Sequence, residues 1–369
     1  MAPVINQVEK YPDILEPVIV TTGQHRQMLD QVLRIFNIDP DYDLGIMQEN
    51  QTIVSIVTKS LQGLEEIILR EKPDMLLVQG DTSTAFAAGL AAFYYRIPLG
   101  HVEAGLRTFD KWRPYPEEIN RKLLTSLADL HFTPTDSSAR NLLEEKTPRD
   151  KIYLTGNTVI DALLTVSKKN YNLEKAGIKL NKDKKLILVT THRRENLGAP
   201  LKHICQAIRK LADKFRREVE IILPVHKNPL VRNMVNDILD GVDNVDLVEP
   251  LDYEPFVHLM KASYIILTDS GGVQEEGPSL GKPVLVLREK TERPEAVAAG
   301  TVKLVGMDEK LIFDEASRLL TDQAEYAKMS QAVNPYGDGH ASERIVGALL
   351  HYFGASDMKP EEFVVKTAG

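Results

Sequence analysis

The stretch from Asp74 to Val102, DMLLVQGDTSTAFAAGLAAFYYRIPLGHV, decides the fold. Asp74 to Gln79 is a short apolar run that follows the helix-breaking Pro73. It ends in Gly80-Asp81-Thr82-Ser83-Thr84, a cluster of turn residues. Ala85 to Tyr95 is Ala-rich, with an apolar surface wide enough for a buried helix, and Ile97 to Val102 is a second apolar run. Strand, tight loop, helix and strand in that order make a parallel crossover unit. It puts Asp81 and Glu103 at the carboxyl ends of two successive strands, the edge where open α/β sheets bind ligands. A helix N-cap is the competing reading of Asp81.

Beyond the second strand the segment Pro98 to Arg121 reads PLGHVEAGLRTFDKWRPYPEEINR. His101, Glu103 and Arg107 precede an irregular aromatic and proline run that contains the chain's only Trp. Glu117-Glu118 then opens a helical pattern. Carboxylates from two local structures thus flank one loop, and loops on a rigid scaffold are where chemistry is presented. Ordinary acids at a helix N-terminus would look the same taken singly.

Length and composition bound the rest. A chain of 369 residues is long enough for two domains, each with its own core. A net charge of −8 argues against a nonspecific nucleic-acid binder and requires any anionic ligand to find a local basic pocket. The lone Cys205 excludes an internal disulfide and reads as a small core residue of a protein in a reducing compartment. No secretory signal is visible at Met1, and the apolar run Ala85 to Tyr95 is too short to span a membrane and is closed by Arg96. A cytoplasmic protein without membrane or nucleic-acid partners is expected.

Toward the N-terminus, residues 2–10 look like the inside of an amphipathic helix, with no strand before it. Pro17 to Thr21 then reads as a strand and His25 to Phe36 as a helix. Toward the C-terminus, Leu130 to Pro134 and Lys151 to Leu154 read as strands and Asn157 to Val166 as a helix. Residues 167–183 are rich in Lys and Asn and suit an inter-domain connection. The domains expected are 1–166, 167–339 and a last helix with tail, 340–369, packing back on the first. The second domain repeats the α/β alternation. Lys185 to Thr190, Val219 to Leu223, Val245 to Val248, Tyr264 to Thr268 and Pro283 to Leu287 read as its strands, and Leu201 to Phe215, Tyr253 to Lys261 and Val273 to Ser279 as helices among them.

Asp269-Ser270-Gly271-Gly272 is the clearest ligand signal. A strand ends, two glycines permit close approach, and a helix starts, so backbone N–H groups and the helix dipole point at one spot suited to a phosphate. Glu275 and Glu276 lie one turn into that helix, where a carboxylate can accept from ribose hydroxyls. His192, Arg193 and Arg293 sit just beyond strands of the same half and together can neutralise a diphosphate. Arg194 and Glu195 read as surface charges. Phe256 can stack on a base, although a Phe on a helix is also ordinary core. There is no metal-ligand spacing, no Walker A loop and no G-x-G-x-x-G fingerprint, so no cofactor is expected. Two α/β lobes, one with carboxylates and one with an anion cradle, predict a nucleotide-linked substrate in the cleft between them.

Seven motifs recur here in a fixed order. They are Gly80-Asp81-Thr82, the run His101 to Thr108, the run Pro116 to Arg121, Thr155-Gly156-Asn157-Thr158, the run His192 to Glu195, the run Asp269 to Glu276, and the run Thr291 to Glu295. The set closely resembles bacterial UDP-N-acetylglucosamine 2-epimerases of the non-hydrolysing type, over nearly the whole chain up to about Phe353. The resemblance implies an α/β, GT-B-like fold of two Rossmann-like domains with parallel sheets facing a central cleft, in a homodimer. It implies interconversion of UDP-GlcNAc and UDP-ManNAc for cell-envelope polysaccharide. It assigns Asp81, Glu103 and Glu117 to acid/base work and His192 to the diphosphate. Ser270, Gly271 and Gly272 would hold phosphates, Glu276 the ribose, and Phe256 the uracil side, with Arg293 also facing the nucleotide. Gln24, Gln27 and His226 would hold a second, regulatory UDP-GlcNAc.

One departure is expected at the N-terminus. The family begins with a strand and a Gly-Thr-Arg-Pro-Glu loop just before the Met-Ala-Pro seen here as Met1-Ala2-Pro3. A start-site error or a shortened chain with exposed strand edges would account for it. A UDP-sugar-binding regulator without turnover, or a GT-B glycosyltransferase, is the alternative function.

Overall fold

The computed structural model describes residues 1–23, 26–48, 51–193 and 196–365; of Gln27 and Met28 it describes the backbone only. The expected helix start at His25, the regulatory assignment of Gln24 and the surface-charge reading of Arg194 and Glu195 therefore lie outside the described residues, as does the side chain of Gln27. The chain divides into two compact units, one of Met1–Ala162 with Tyr336–Val364 and one taking in Leu163–Pro335. Each carries parallel strands covered by helices, an α/β architecture.

The first unit runs α1 Ala2–Val8, β1 Val20–Thr21, α2 Arg26–Phe36, β2 Tyr42–Asp43, α3 Ile53–Glu71, β3 Leu76–Gln79, α4 Ser83–Tyr94, β4 Leu99–Val102, α5 Glu117–Leu127, β5 Leu130–Thr133, α6 Asp136–Glu144 and β6 Ile152–Leu154. Strands β3 to β6 form a parallel sheet in chain order, with Leu77 opposite Gly100 and His101 opposite His131. Strands β1 and β2 pair in a separate two-stranded sheet, and among the described residues β3 has no strand partner on its other edge. The strand expected from Pro17 is only Val20–Thr21. Pro17 has no N–H to give, and the Ile19 N–H donates to the Asp41 carboxylate (2.7 Å) instead of to a neighbouring strand. Helix α4 lies close because residue 89 is glycine: a Cβ there would sit 2.6 Å from Leu124 Cδ2 and 3.1 Å from Leu99 Cδ2. Its N-cap is Thr82, whose side chain accepts from Ala85 N (3.1 Å), so the capping reading of Asp81 is replaced and that carboxylate is left for other work.

Helix α7 Thr158–Ser167 leads out of the first unit. The second unit runs β7 Lys185–Thr190, α8 Ala199–Lys214, β8 Val219–Pro224, α9 Pro229–Leu239, β9 Val245–Val248, α10 Tyr253–Ala262, β10 Ile265–Thr268, α11 Gly271–Ser279, β11 Val284–Val286, α12 Pro294–Ala298, β12 Val302–Leu304, α13 Glu309–Thr321 and α14 Gln323–Ser330. Its six strands are all parallel in the order β12-β11-β10-β7-β8-β9. The four inner strands β11, β10, β7 and β8 are almost wholly buried and read mostly as Ile/Leu/Val runs, whereas the edge strands β9 and β12 each carry a charged residue, Asp246 and Lys303. Cys205 on α8 belongs to this core, and burial pushes its thiol up to about 12. The chain starts at β7 in mid-sheet, winds out through β8 and β9, and returns to the other side of β7 at β10. That makes the β7/β10 boundary a topological switch point, where such sheets bind ligands.

The chain re-enters the first unit through α15 Ala341–Tyr352, which packs on α1 in a core shared by Val4, Val8, Phe132, Ile345 and Leu349. Asp161 on α7 accepts from Ser342 N (2.7 Å), Ser342 Oγ (2.6 Å) and Ala341 N (3.2 Å), so it satisfies the orphan donors at the start of α15. No helix among the described residues is long and apolar enough to cross a membrane.

Candidate active site

In the first unit the candidate acid/base residues Asp81 and Glu103 sit where β3 and β4 end. Gly80 turns the chain with φ +72°, and the Asp81 carboxylate meets Arg121 of α5 at 2.6 Å. Asn120 Nδ2 donates to the Asp81 carbonyl (2.9 Å), so one turn of α5 holds both the backbone and the side chain of residue 81. Burial raises the Asp81 carboxyl above its ordinary range, Arg121 pulls it back, and Glu117 and Glu118 push it further up. Glu103 follows β4 in the left-handed region at φ +65°, a conformation that costs about 1–3 kcal/mol for a non-glycine and that clusters at functional sites. Gln79 Nε2 reaches Glu103 Oε2 at 3.4 Å and Thr158 Oγ1 at 3.3 Å.

The adjacent acids of α5 behave differently. Glu118 is fully buried and accepts from the N–H groups of Thr108 and Phe109, both at 3.0 Å. Glu117 has a buried Oε2 without a hydrogen-bond partner among the described residues. Beneath them His101 is completely buried, with Nε2 2.8 Å from the Gly80 carbonyl, so that nitrogen carries the proton. Burial depresses its imidazole to about 4 and keeps it neutral.

In the second unit the loops after β7, β10 and β11 lie side by side, as the sheet order requires. Thr190 pairs with Thr268 in register, so Thr191–Arg193 and Asp269–Gly272 emerge together. Asp269 is fully buried and accepts from His192 N, Arg193 N (2.9 Å) and Asn196 Nδ2 (2.8 Å), and the His192 ring meets it through Nδ1 at 3.0 Å. Burial pushes this carboxyl up, but the donors from His192 and Arg193 outweigh burial and leave it below its ordinary range. With Nδ1 so engaged, Nε2 of the half-exposed His192 is the nitrogen left for a ligand.

Helix α11 starts directly after Asp269. Thr52, Thr82, Thr135 and Asp308 cap their helices with their own side chains, but Ser270 does not cap α11. The first amides of α11 and the Ser270 hydroxyl are thus available to a ligand. A Cβ on Gly271 would lie 3.7 Å from Arg193 Nη2 and 3.9 Å from Arg293 Nη2, so both guanidinium groups border the space that glycine leaves open. Arg293 is set by Glu275, with which its Nε is paired, and by Thr291 Oγ1, which accepts from its backbone N (3.0 Å). Glu275 is therefore tied to Arg293, a pairing that its position in the sequence did not suggest. Glu276 lies near Gly272 and accepts from the Tyr253 hydroxyl (2.8 Å); burial raises its carboxyl to about 7. Phe256, partly buried, follows Tyr253 by one helical turn and shares its face of α10.

The structure thus brings Asp81, Glu103 and Glu117 to one edge of the first unit. It brings His192, Arg193, Ser270, Gly271, Gly272, Glu276 and Arg293 to the switch point of the second. His226 lies exposed after β8, its Nδ1 accepting from Asn228 N at 3.1 Å. Sequence reasoning missed the roles of Glu118 and Arg121, although their i, i+3 spacing was a signal. It also missed Tyr253, for which the sequence carries none.

A family model described as UDP-N-acetylglucosamine 2-epimerase matches residues 6–350. The UDP-N-acetylglucosamine 2-epimerase of Bacillus subtilis is 51% identical over 369 residues, covering 99% of this chain and 95% of that protein. A crystal structure of a UDP-N-acetylglucosamine 2-epimerase superimposes with a TM-score of 0.91 at 49% identity, covering 99% of this chain and 95% of the other. The Neisseria meningitidis UDP-GlcNAc 2-epimerase, solved with UDP-GlcNAc bound, is similar at 50% identity and a TM-score of 0.80 over 95% of each chain. With the family's match running over nearly its whole length and half its residues identical to these relatives, the chain belongs to the UDP-N-acetylglucosamine 2-epimerase family.

Proposed function

We propose that this protein interconverts UDP-GlcNAc and UDP-ManNAc by inverting C2 of the sugar, without hydrolysing the nucleotide. The observation that carries the reading is the anion cradle at the β7/β10 switch point, where the uncapped start of α11 meets Arg193 and Arg293 at Gly271. It has the charge, the open backbone amides and, in Glu276, the buried carboxylate that a nucleoside diphosphate needs. Phe256 takes the uracil side.

The C2 proton is not next to a carbonyl, so direct deprotonation is inaccessible. As the C1–O bond to UDP breaks, C1 becomes cation-like and the C2 proton acidic. A carboxylate removes that proton, the C1–C2 double bond of a glucal forms, and the electron pair of the C1–O bond leaves with UDP. Protonation of C2 on the opposite face and return of UDP to C1 complete the inversion. Asp81, Glu103 and Glu117 are the groups for the two proton transfers, and His192, Arg193, Arg293 and the α11 amides stabilise the departing diphosphate. Substrate and product have the same oxidation state, so no redox partner enters.

The reading extends to a homodimer, to a second UDP-GlcNAc acting as a regulator through Gln24, Gln27 and His226, and to a cytoplasmic supply of UDP-ManNAc for cell-envelope polysaccharide. Exposed Leu69 on α3, Phe93 and Tyr94 on α4 and Leu123 on α5 support the dimer, since these helices pack side by side and leave apolar groups uncovered.

Chromatography of UDP-GlcNAc after incubation with the protein tests the reaction. The expected products are UDP-ManNAc at equilibrium with UDP-GlcNAc and no net loss of UDP-sugar. Stoichiometric UDP with free ManNAc would instead indicate hydrolysis, and an unchanged substrate that still binds would indicate a regulator. Asp81→Asn, Glu103→Gln and Glu117→Gln should each lower kcat by roughly 10²–10⁴-fold.

A further inference from the structure

We propose that Glu118 and Arg121 are positioning residues for Asp81, with Arg121 shared between the two carboxylates and Glu118 locking it to the loop that precedes α5. The inference deepens the proposed epimerase reading and rests on it for the role of Asp81.

The geometry is a closed relay. Arg121 Nη1 meets Asp81 Oδ2 at 2.6 Å, and Nη2 meets Glu118 Oε2 at 3.2 Å. The Arg121 side chain is 9% exposed and that of Glu118 is 0% exposed, so neither is a solvated surface charge of the kind worth little. Glu118 is tied in turn to Thr108 N through Oε2 and to Phe109 N through Oε1. Phe109 is itself left-handed at φ +61°, a conformation a bulky residue adopts only where its surroundings impose it. Both oxygens of Glu118 are therefore used in holding structure, while Oε2 of its neighbour Glu117 is buried with no partner among the described residues. Adjacent positions on α5 divide the work: Glu117 faces chemistry and Glu118 holds the frame.

The charged groups around Asp81 are Arg121, Glu117 and Glu118 from α5 and Glu103 at the end of β4; His101, neutral, binds the Gly80 carbonyl beside it. Arg121 favours the ionised form of Asp81 and Glu118 disfavours it. Removing the two partners must therefore move the Asp81 titration in opposite directions. A merely structural role would move it in neither direction or in the same one.

The test is the titration of the Asp81 carboxyl carbon by NMR of protein carrying carbon-13 in its aspartates, with the signal identified by its loss in Asp81→Asn. Arg121→Met should raise the midpoint and Glu118→Gln should lower it, each by about one pH unit or less for a group still partly open to water. Arg121→Lys, which keeps the charge, should stay close to the parent. In turnover, the limb of the kcat/KM profile governed by Asp81 should move the same way. Arg121→Met should lose kcat by roughly 10²-fold through misplacement while KM for UDP-GlcNAc changes little. UDP affinity and melting temperature serve as folding controls. Unmoved or parallel midpoints would overturn the proposal, as would a fall in kcat that merely follows the melting temperature. Because the titration needs no turnover, absence of epimerisation would overturn the functional reading and leave the positioning result standing.

Discussion

Glu276 shows what burial does to a single carboxyl of the candidate site. Its pKa of about 7 comes first from burial, against which the Tyr253 hydroxyl works, with Glu275 adding to the rise. In the proposed role of Glu276, ribose hydroxyls would donate to its carboxylate, so the ligand would favour the ionised form. Binding of UDP-GlcNAc at pH 7 should release a fraction of a proton, and affinity should increase from pH 6 to pH 8. Calorimetric titration in buffers of different ionisation heat reads the release directly; Glu276→Gln should abolish it and weaken binding about tenfold. The same shift has a consequence for stability. The folded state holds this proton more tightly than the unfolded chain, whose ordinary value is 4.5, so the contribution of Glu276 is fully present below pH 4.5 and is lost as pH rises through about 7. Asp269 has the opposite sign: its folded value is depressed, so its contribution is present above the ordinary 3.8 and lost in more acid solution. Asp269→Ala strands the N–H groups of His192 and Arg193 and should cost about 1–3 kcal/mol in denaturant unfolding, together with most UDP affinity.

At the scale of elements, the join between α7 and α15 carries a clear expectation. Asp161→Ala removes the acceptor for Ala341 N and Ser342 N and should cost about 0.5–2 kcal/mol. Hydrogen exchange should quicken first at the start of α15, and an unchanged rate there would mean that apolar packing alone docks the helix. Elements were legible from sequence where apolar runs met turn residues. Lys185–Thr190 and Val245–Val248 form the strands expected, and Glu117 opens the helix its pair of acids suggested. Helices α6, α9 and α13 went unread, although Thr135, Asn228 and Asp308 each cap their helix with a side-chain oxygen, a local signal that apolar periodicity does not contain. The candidate site was legible in its local geometry, because Asp269, Ser270 and the two glycines end a strand and begin a helix. Its internal wiring was not. That Glu275 holds Arg293 while Glu276 is held by Tyr253 depends on which face of α11 each acid occupies against its neighbours, and no local pattern encodes that.

For the molecule as a whole, one unit holds carboxylates at the ends of β3 and β4 and the other holds an anion cradle at its switch point, and the proposed reaction would draw on both. The dimer reading predicts that Phe93→Glu with Tyr94→Glu yields a monomer by light scattering, whereas a parent protein that is monomeric at micromolar concentration would contradict it. The central claim is that C2 is inverted by removing and replacing its proton. Proton NMR of UDP-GlcNAc incubated with the protein in heavy water tests this most directly. The account predicts UDP-ManNAc carrying deuterium at C2, with the returning UDP-GlcNAc gaining deuterium as well. UDP-ManNAc that forms with its original C2 proton in place would contradict it.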